Sequence, residues 1–210
     1  MKIAVDLTPM RPGGENRFLA DFAGFADRIA RAGMLNSLSQ VLIKIASPGV
    51  PDFYQGSELW DLHLVDPDNR RPVDYETRAT LLSQLQAGLS IAEILRGADS
   101  GLPKMWVLYR ALNLRKQRPE WFGPDAGYTP LAIAGRKADH AIAYLRAASV
   151  ATIVPRWSLR LADNWSGTTV ALPGGSWRNL LTQDLLTGGT LPLQGVLRQF
   201  PVALLQKEEG

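Results

Sequence analysis

Apolar residues recur every three or four positions through the first half of the chain and alternate with polar ones through the second, so helices followed by strands are predicted. Lys2 to Leu7 reads as a short strand, broken by Pro9, Pro12, Gly13 and Gly14. From an N-cap at Asn16, a helix carries Phe18, Leu19, Phe22, Phe25, Ala26 and Ile29 on one face. Gly33 interrupts it, and a second helix with Leu35, Leu38, Val41, Leu42 and Ile45 ends at Pro48. Val50 to Tyr54 is a short strand closed by Gly56. Asp74 caps a helix through Leu85, and a shorter one follows over Ile91 to Leu95. Leu102 to Arg118 is a further helix with Trp106, Leu108, Tyr109, Leu112 and Leu114 as its apolar stripe and Lys104, Arg110, Arg115 and Lys116 toward water, stopped by Pro119.

Beyond Gly123 the period falls to two. Strands are predicted over Tyr128 to Ala134, His140 to Arg146, Val150 to Pro155, Thr168 to Leu172, Trp177 to Leu181 and Val196 to Leu205, with turns at Gly135, Gly167, Pro173 to Gly175, and Gly188 with Gly189. The fold class read from this is α+β, helices first and then an antiparallel sheet or two-sheet, sandwich-like domain. Three segments follow: an atypical stretch 1–15, a mainly helical part 16–122, and a β-domain 123–210.

Composition narrows the function classes. The 210 residues carry a net charge of +3 with the basic residues scattered, which argues against nucleic acid as a partner. With no cysteine, disulfides, thiolate metal sites and cysteine nucleophiles are excluded. His63 and His140 sit in no metal-ligand spacing, so neither metal nor other cofactor is expected. No apolar run approaches the length of a membrane span, and a cytoplasmic location is the expectation.

The densest candidate chemistry lies in SPGVPDFYQGSELWDLHLVDPDNRRPVDY, residues 47–75. The loop 56–72 gathers Glu58, Trp60, Asp61, His63, Asp66, Asp68, Arg70 and Arg71, a mixture of carboxylate, guanidinium and indole. Such groups suit a sugar, whose hydroxyls take bidentate polar partners and whose apolar face takes a flat ring. A solvated loop with internal ion pairs has the same composition, and both readings stand.

The order Gly49, Pro51, Tyr54, Gly56, Glu58 meets a G-x-P-x-x-Y-x-G-x-E pattern and resembles the segment around the eighth strand of the catalytic barrel in the α-amylase superfamily of glycoside hydrolases. The longer stretch from Asn36 to Tyr75 is similar to a trehalose-forming branch, and YTPL, KADHAIAY, TTVALPGGSW and FPVALL extend the likeness to Leu205. The resemblance implies an isomerase that converts the reducing-end α-1,4 linkage of a maltooligosaccharide to an α,α-1,1 linkage. It also implies that residues 16–122 are the end of an incomplete TIM-type barrel and that 123–210 is the trailing β-domain.

Retaining enzymes of that kind use a nucleophilic and a proton-donating carboxyl about 5 to 5.5 Å apart. The resemblance sets the family's catalytic acids on barrel strands before the matched segment, so no catalytic residue is assigned here and the isolated chain is expected to be inactive. Glu58 is expected to orient its loop by accepting backbone N–H bonds. Trp60, Asp66, Asn69, Arg70 and Arg71 are the candidate substrate contacts, with a salt-bridged turn as the alternative; Tyr54 is a further candidate for stacking. Trp157, Trp165 and Trp177 form either a sugar platform or part of the core. The expected partners are a maltooligosaccharide or α-glucan, plus either a separately encoded barrel half or a second copy meeting the Phe18, Phe22 and Phe25 face. A non-catalytic glucan-binding or assembly module is the alternative function.

Overall fold

The computed structural model describes residues 17–61, 71–161 and 164–208. The strand expected over Lys2 to Leu7 and the cap at Asn16 lie outside them.

A single helix, α1 (Arg17–Ala46), replaces the two expected on either side of Gly33. One glycine costs a helix interior only about 1 kcal/mol, too little to break one anchored elsewhere. The anchor is the C-terminal third, where Leu38, Val41, Leu42 and Ile45 are buried. Helix α2 (Tyr75–Ala87) starts at Asp74 as expected: one carboxylate oxygen accepts from the Thr77 backbone N–H at 2.9 Å, the other from its hydroxyl at 2.6 Å. The Thr77 hydroxyl is the main cause that holds the Asp74 carboxyl below its ordinary pKa. Helix α3 (Ile91–Arg96) opens on a reciprocal pair between Ser90 and Glu93, and α4 (Leu102–Gln117) follows a turn at Gly101.

Residues 50–54 form no strand. A strand is stable only where neighbours complete its hydrogen bonds, and here Val50 and Tyr54 are exposed while the Phe53 ring lies under Lys44.

The β-region is one antiparallel sheet rather than a sandwich: β1 (Tyr128–Pro130), β2 (Ile133–Ala134), β3 (Ala141–Arg146), β4 (Val150–Pro155), β5 (Thr169–Asn179), β6 (Leu185–Pro192) and β7 (Ala203–Lys207), in the order β1-β3-β4-β7-β5-β2 with β6 paired to β5. The two strands expected on either side of Pro173 are one, β5, whose register with β6 shifts between Leu172 and Ser176. The Gly188–Gly189 pair, expected to be a turn, lies inside β6. There the bulged β5 backbone leaves no room: a Cβ on Gly188 would sit 1.9 Å from the Pro173 carbonyl oxygen.

Alternation along the strands explains how one sheet serves two cores. Val150 and Val154 of β4 and Leu204 of β7 join the helices in a core with Leu42, Ile45, Leu85, Ile94, Val107 and Leu114. Ala151 and Ile153 of β4, with Ala203 and Leu205 of β7, point to the other face and meet Val170, Trp177 and Leu193. The sheet therefore curls over a core of its own while its other face receives α1 and α4. The first core takes residues from both sides of position 123. Among the described residues, no helix is long and apolar enough to cross a membrane.

Candidate functional site

Residues 47–61 are held by three cationic side chains instead of a strand ladder. Arg115, near the end of α4, reaches back to the end of α1, where its Nη1 donates to the carbonyls of Ile45 at 2.6 Å and Ser47 at 3.4 Å while its Nη2 donates to that of Gly49. Its guanidinium lies over the Phe122 ring, 5.1 Å from the centroid. It caps the final carbonyls of α1 and fixes the turn at Gly49, whose φ of 101° is left-handed. Partial burial lowers the pKa of Arg115, with the nearby positive charge of Arg146 adding to the effect.

Among the described residues, Glu58 is held by a side chain rather than by the expected backbone N–H groups. Its partner is Arg78 of α2, with Nε donating to the carboxylate at 2.8 Å. The same guanidinium donates to the carbonyls of Gly56 at 2.6 Å and Asp74 at 3.0 Å, tying the turn to the start of α2. Tyr75 adds a hydrogen bond from its hydroxyl to the Gln55 side chain at 3.0 Å. Lys104 completes the set. Its Nζ donates to the Leu59 carbonyl at 2.8 Å from a side chain in a residue only 8% exposed. Burial lowers its pKa, opposed by the negative charges of Asp61 and Glu58.

Trp60 is fixed at both ends. Its Nε1 donates to the Ala98 carbonyl, and its backbone passes so close to Gly101 that a Cβ there would lie 2.9 Å from the Trp60 nitrogen. The indole is half-buried against the first core and, with Asp61, lines a groove of about 430 Å³ along α1. Tyr54 is 52% exposed and Arg71 is exposed. His63, Asp66, Asn69 and Arg70 lie outside the described residues. Trp165 and Trp177 are buried in the second core and Trp157 is exposed, so the three indoles make no common platform. His140 ends a short turn before β3, its ring edge-on to Trp157 at 5.7 Å. Among the described residues, no group of three or more potential metal ligands converges.

The sequence pattern assigns Arg78 no role and places Lys104 and Arg115 toward water, whereas all three position this segment. A helical wheel carries the missing signal: positions 104, 108, 111 and 115 share one face of α4, and Leu108 and Ala111 are buried. Arg115→Ala is expected to cost about 2 kcal/mol, since charged hydrogen bonds contribute about 1.5–3 kcal/mol. Hydrogen exchange over residues 46–56 should accelerate, and unchanged protection there would rule out the clamp.

No family model matches the chain. It is 42% identical over 176 residues to a Mycobacterium tuberculosis protein named "Putative maltooligosyl trehalose synthase", an alignment spanning 83% of this chain and 21% of that protein. The chain is homologous to one part of the maltooligosyl trehalose synthases. The solved maltooligosyltrehalose synthase from Arthrobacter ramosus superposes with a TM-score of 0.81 at 34% identity, over 92% of this chain and 25% of that one. A second solved maltooligosyl trehalose synthase gives a TM-score of 0.73 at 29% identity, over 91% and 24%. The chain thus spans about a fifth of the length of the curated synthases it matches. The helical layer and the curled sheet belong to the matched portion of the synthase fold, and the clamped segment 47–61 lies between α1 and α2 in sequence, with Phe53, Leu59 and Trp60 packed against the first core.

Proposed function

We propose that this chain is the C-terminal portion of a maltooligosyl trehalose synthase of the α-amylase superfamily, and that it contributes to converting the reducing-end α-1,4 linkage of a maltooligosaccharide into an α,α-1,1 linkage. The observation that carries the reading is the 42% identity over 176 residues. The rigid presentation of Trp60 and Glu58 by Arg78, Lys104 and Gly101 supports it. In this reading the segment 49–61 and the following loop form one wall of the sugar cleft: Trp60 stacks on a glucose ring, and Asp66, Asn69, Arg70 and Arg71 bind hydroxyls.

The chemistry itself falls to carboxyl groups elsewhere in the fold. A retaining mechanism needs two of them facing each other at about 5 to 5.5 Å. Glu58 is engaged with Arg78 in an ion pair that ties the turn to α2, so its carboxylate holds the segment rather than facing a second carboxyl. These 210 residues by themselves are therefore expected to give no turnover. Incubation with maltopentaose, followed by assay for a non-reducing product, tests this, and sustained formation of that product by the isolated chain would overturn the assignment of chemistry elsewhere. Saturable glucan binding without turnover, lost in Trp60→Ala, would instead favour the non-catalytic binding module.

A further inference from the structure

Arg146, the last residue of β3, is only 1% exposed, and among the described residues no carboxylate pairs with it. Its Nη2 donates to the Gly123 carbonyl at 3.1 Å, while its Nε is buried without an acceptor. Thr152 of β4 is 0% exposed, and its Oγ1 is likewise buried without a partner. The two side chains share one face of the sheet: Arg146 pairs in register with Val150 and Thr152 with Tyr144, and both Val150 and Tyr144 lie in the first core. The Tyr144 hydroxyl lies beside Thr152 but is directed to the Ile43 carbonyl, at 3.4 Å, near the end of α1. Burial raises the Tyr144 pKa, so the phenol keeps its proton and remains a donor. A second guanidinium stands close by. Arg115 lies over the ring of Phe122, the neighbour in sequence of the Gly123 whose carbonyl Arg146 engages.

A buried guanidinium requires compensation of its charge, and one carbonyl beside a second arginine does not supply it. We propose that Arg146 Nε and the Thr152 hydroxyl bind a small monovalent anion, of the size of chloride, between the sheet and the end of α1. The chemistry of the site selects that class of ligand. Its groups are a guanidinium N–H and hydroxyls, which donate to an anion and repel or ignore a cation. Burial of Arg146 and Thr152 to 1 and 0% exposure admits an ion and shuts out a sugar or a larger acid. A water molecule satisfies the two atoms but leaves the charge. The anion also offsets the repulsion that Arg146 exerts on Arg115, and Arg115 is the residue that holds the carbonyls of Ile45, Ser47 and Gly49. Occupancy therefore tightens the clamp on the end of α1 without touching the proposed sugar cleft, and it holds whether or not the proposed function does.

The test is thermal melting of the full chain in sodium gluconate, whose anion is too large to enter, with chloride replacing gluconate at constant ionic strength. A saturable rise of about 5 °C or more in the midpoint is expected, as for a ligand about a hundredfold above its dissociation constant. Thr152→Val keeps the shape of the side chain and should raise the half-saturating chloride concentration by about tenfold, the share of one hydrogen bond to a charged group. Arg146→Met should abolish the response. Should that variant not fold, crystals of the unaltered chain soaked in bromide carry the same test, with an anomalous peak expected within hydrogen-bond reach of Arg146 Nε. A midpoint indifferent to chloride, an equal response in the unaltered chain and in Thr152→Val, a response that survives Arg146→Met, or bromide found only elsewhere on the chain would each overturn the proposal. Hydrogen exchange over residues 46–56 should slow as chloride binds, and exchange that stays the same would overturn the coupling to Arg115.

Discussion

Trp177→Ala is expected to lower the melting temperature by about 10 °C or more. The residue is 0% exposed and sits at the centre of the core beneath the curled sheet, where it packs with Val170, Leu193 and Leu205. Its Nε1 donates to the Pro173 carbonyl at 2.9 Å, which closes the bulge in β5. Truncating a fully buried tryptophan to alanine costs about 3–5 kcal/mol, and in a chain of this size each kcal/mol moves the midpoint by about 2–4 °C. Circular dichroism melting decides the matter. Trp177→Phe should recover most of the loss, since it restores apolar volume and forfeits chiefly the hydrogen bond. A shift of only a degree or two in the alanine variant would mean that the second core does not depend on this side chain.

The second large effect is expected at Gly188. A Cβ there would lie 1.9 Å from the Pro173 oxygen and 2.7 Å from its carbonyl carbon, and both are backbone atoms that cannot swing aside. Gly188→Ala must therefore separate β5 from β6 at the bulge. Gly189→Ala provides the contrast. Its φ of 137° is strained for any other residue, yet a Cβ there meets nothing within 4 Å, so the expected cost is about 1–3 kcal/mol from backbone strain alone. Urea unfolding of both variants should place Gly188→Ala well below Gly189→Ala, and equal midpoints would refute the close approach. The Pro173 carbonyl that crowds Gly188 also accepts the Trp177 hydrogen bond, so Trp177→Ala and Gly188→Ala should combine non-additively in a double-mutant cycle.

The candidate site was legible as a stretch but not as an arrangement. Gly49, Gly56 and Glu58 stood out because turn glycines and a carboxylate in fixed order have local meaning, and both glycines adopt the left-handed conformation that only glycine takes easily. The cations that hold them did not stand out. Arg115 lies 66 residues from Gly49 and Lys104 lies 45 from Leu59, and nothing in the local pattern around either names its acceptor.

What the sequence determined by itself were the elements whose signal is short-range. The cap at Asp74, the stop at Pro119, and the alternation of β3 and β4 all depend on residues within a turn or two of one another. Tertiary structure decided the rest. It made α1 continuous through Gly33, because burial of its C-terminal third outweighs one glycine. It merged two expected strands into β5, because β6 pairs on both sides of the bulge. It left 50–54 without a ladder and folded the sheet into a single curled layer, because strand pairing and face burial depend on partners distant in the chain.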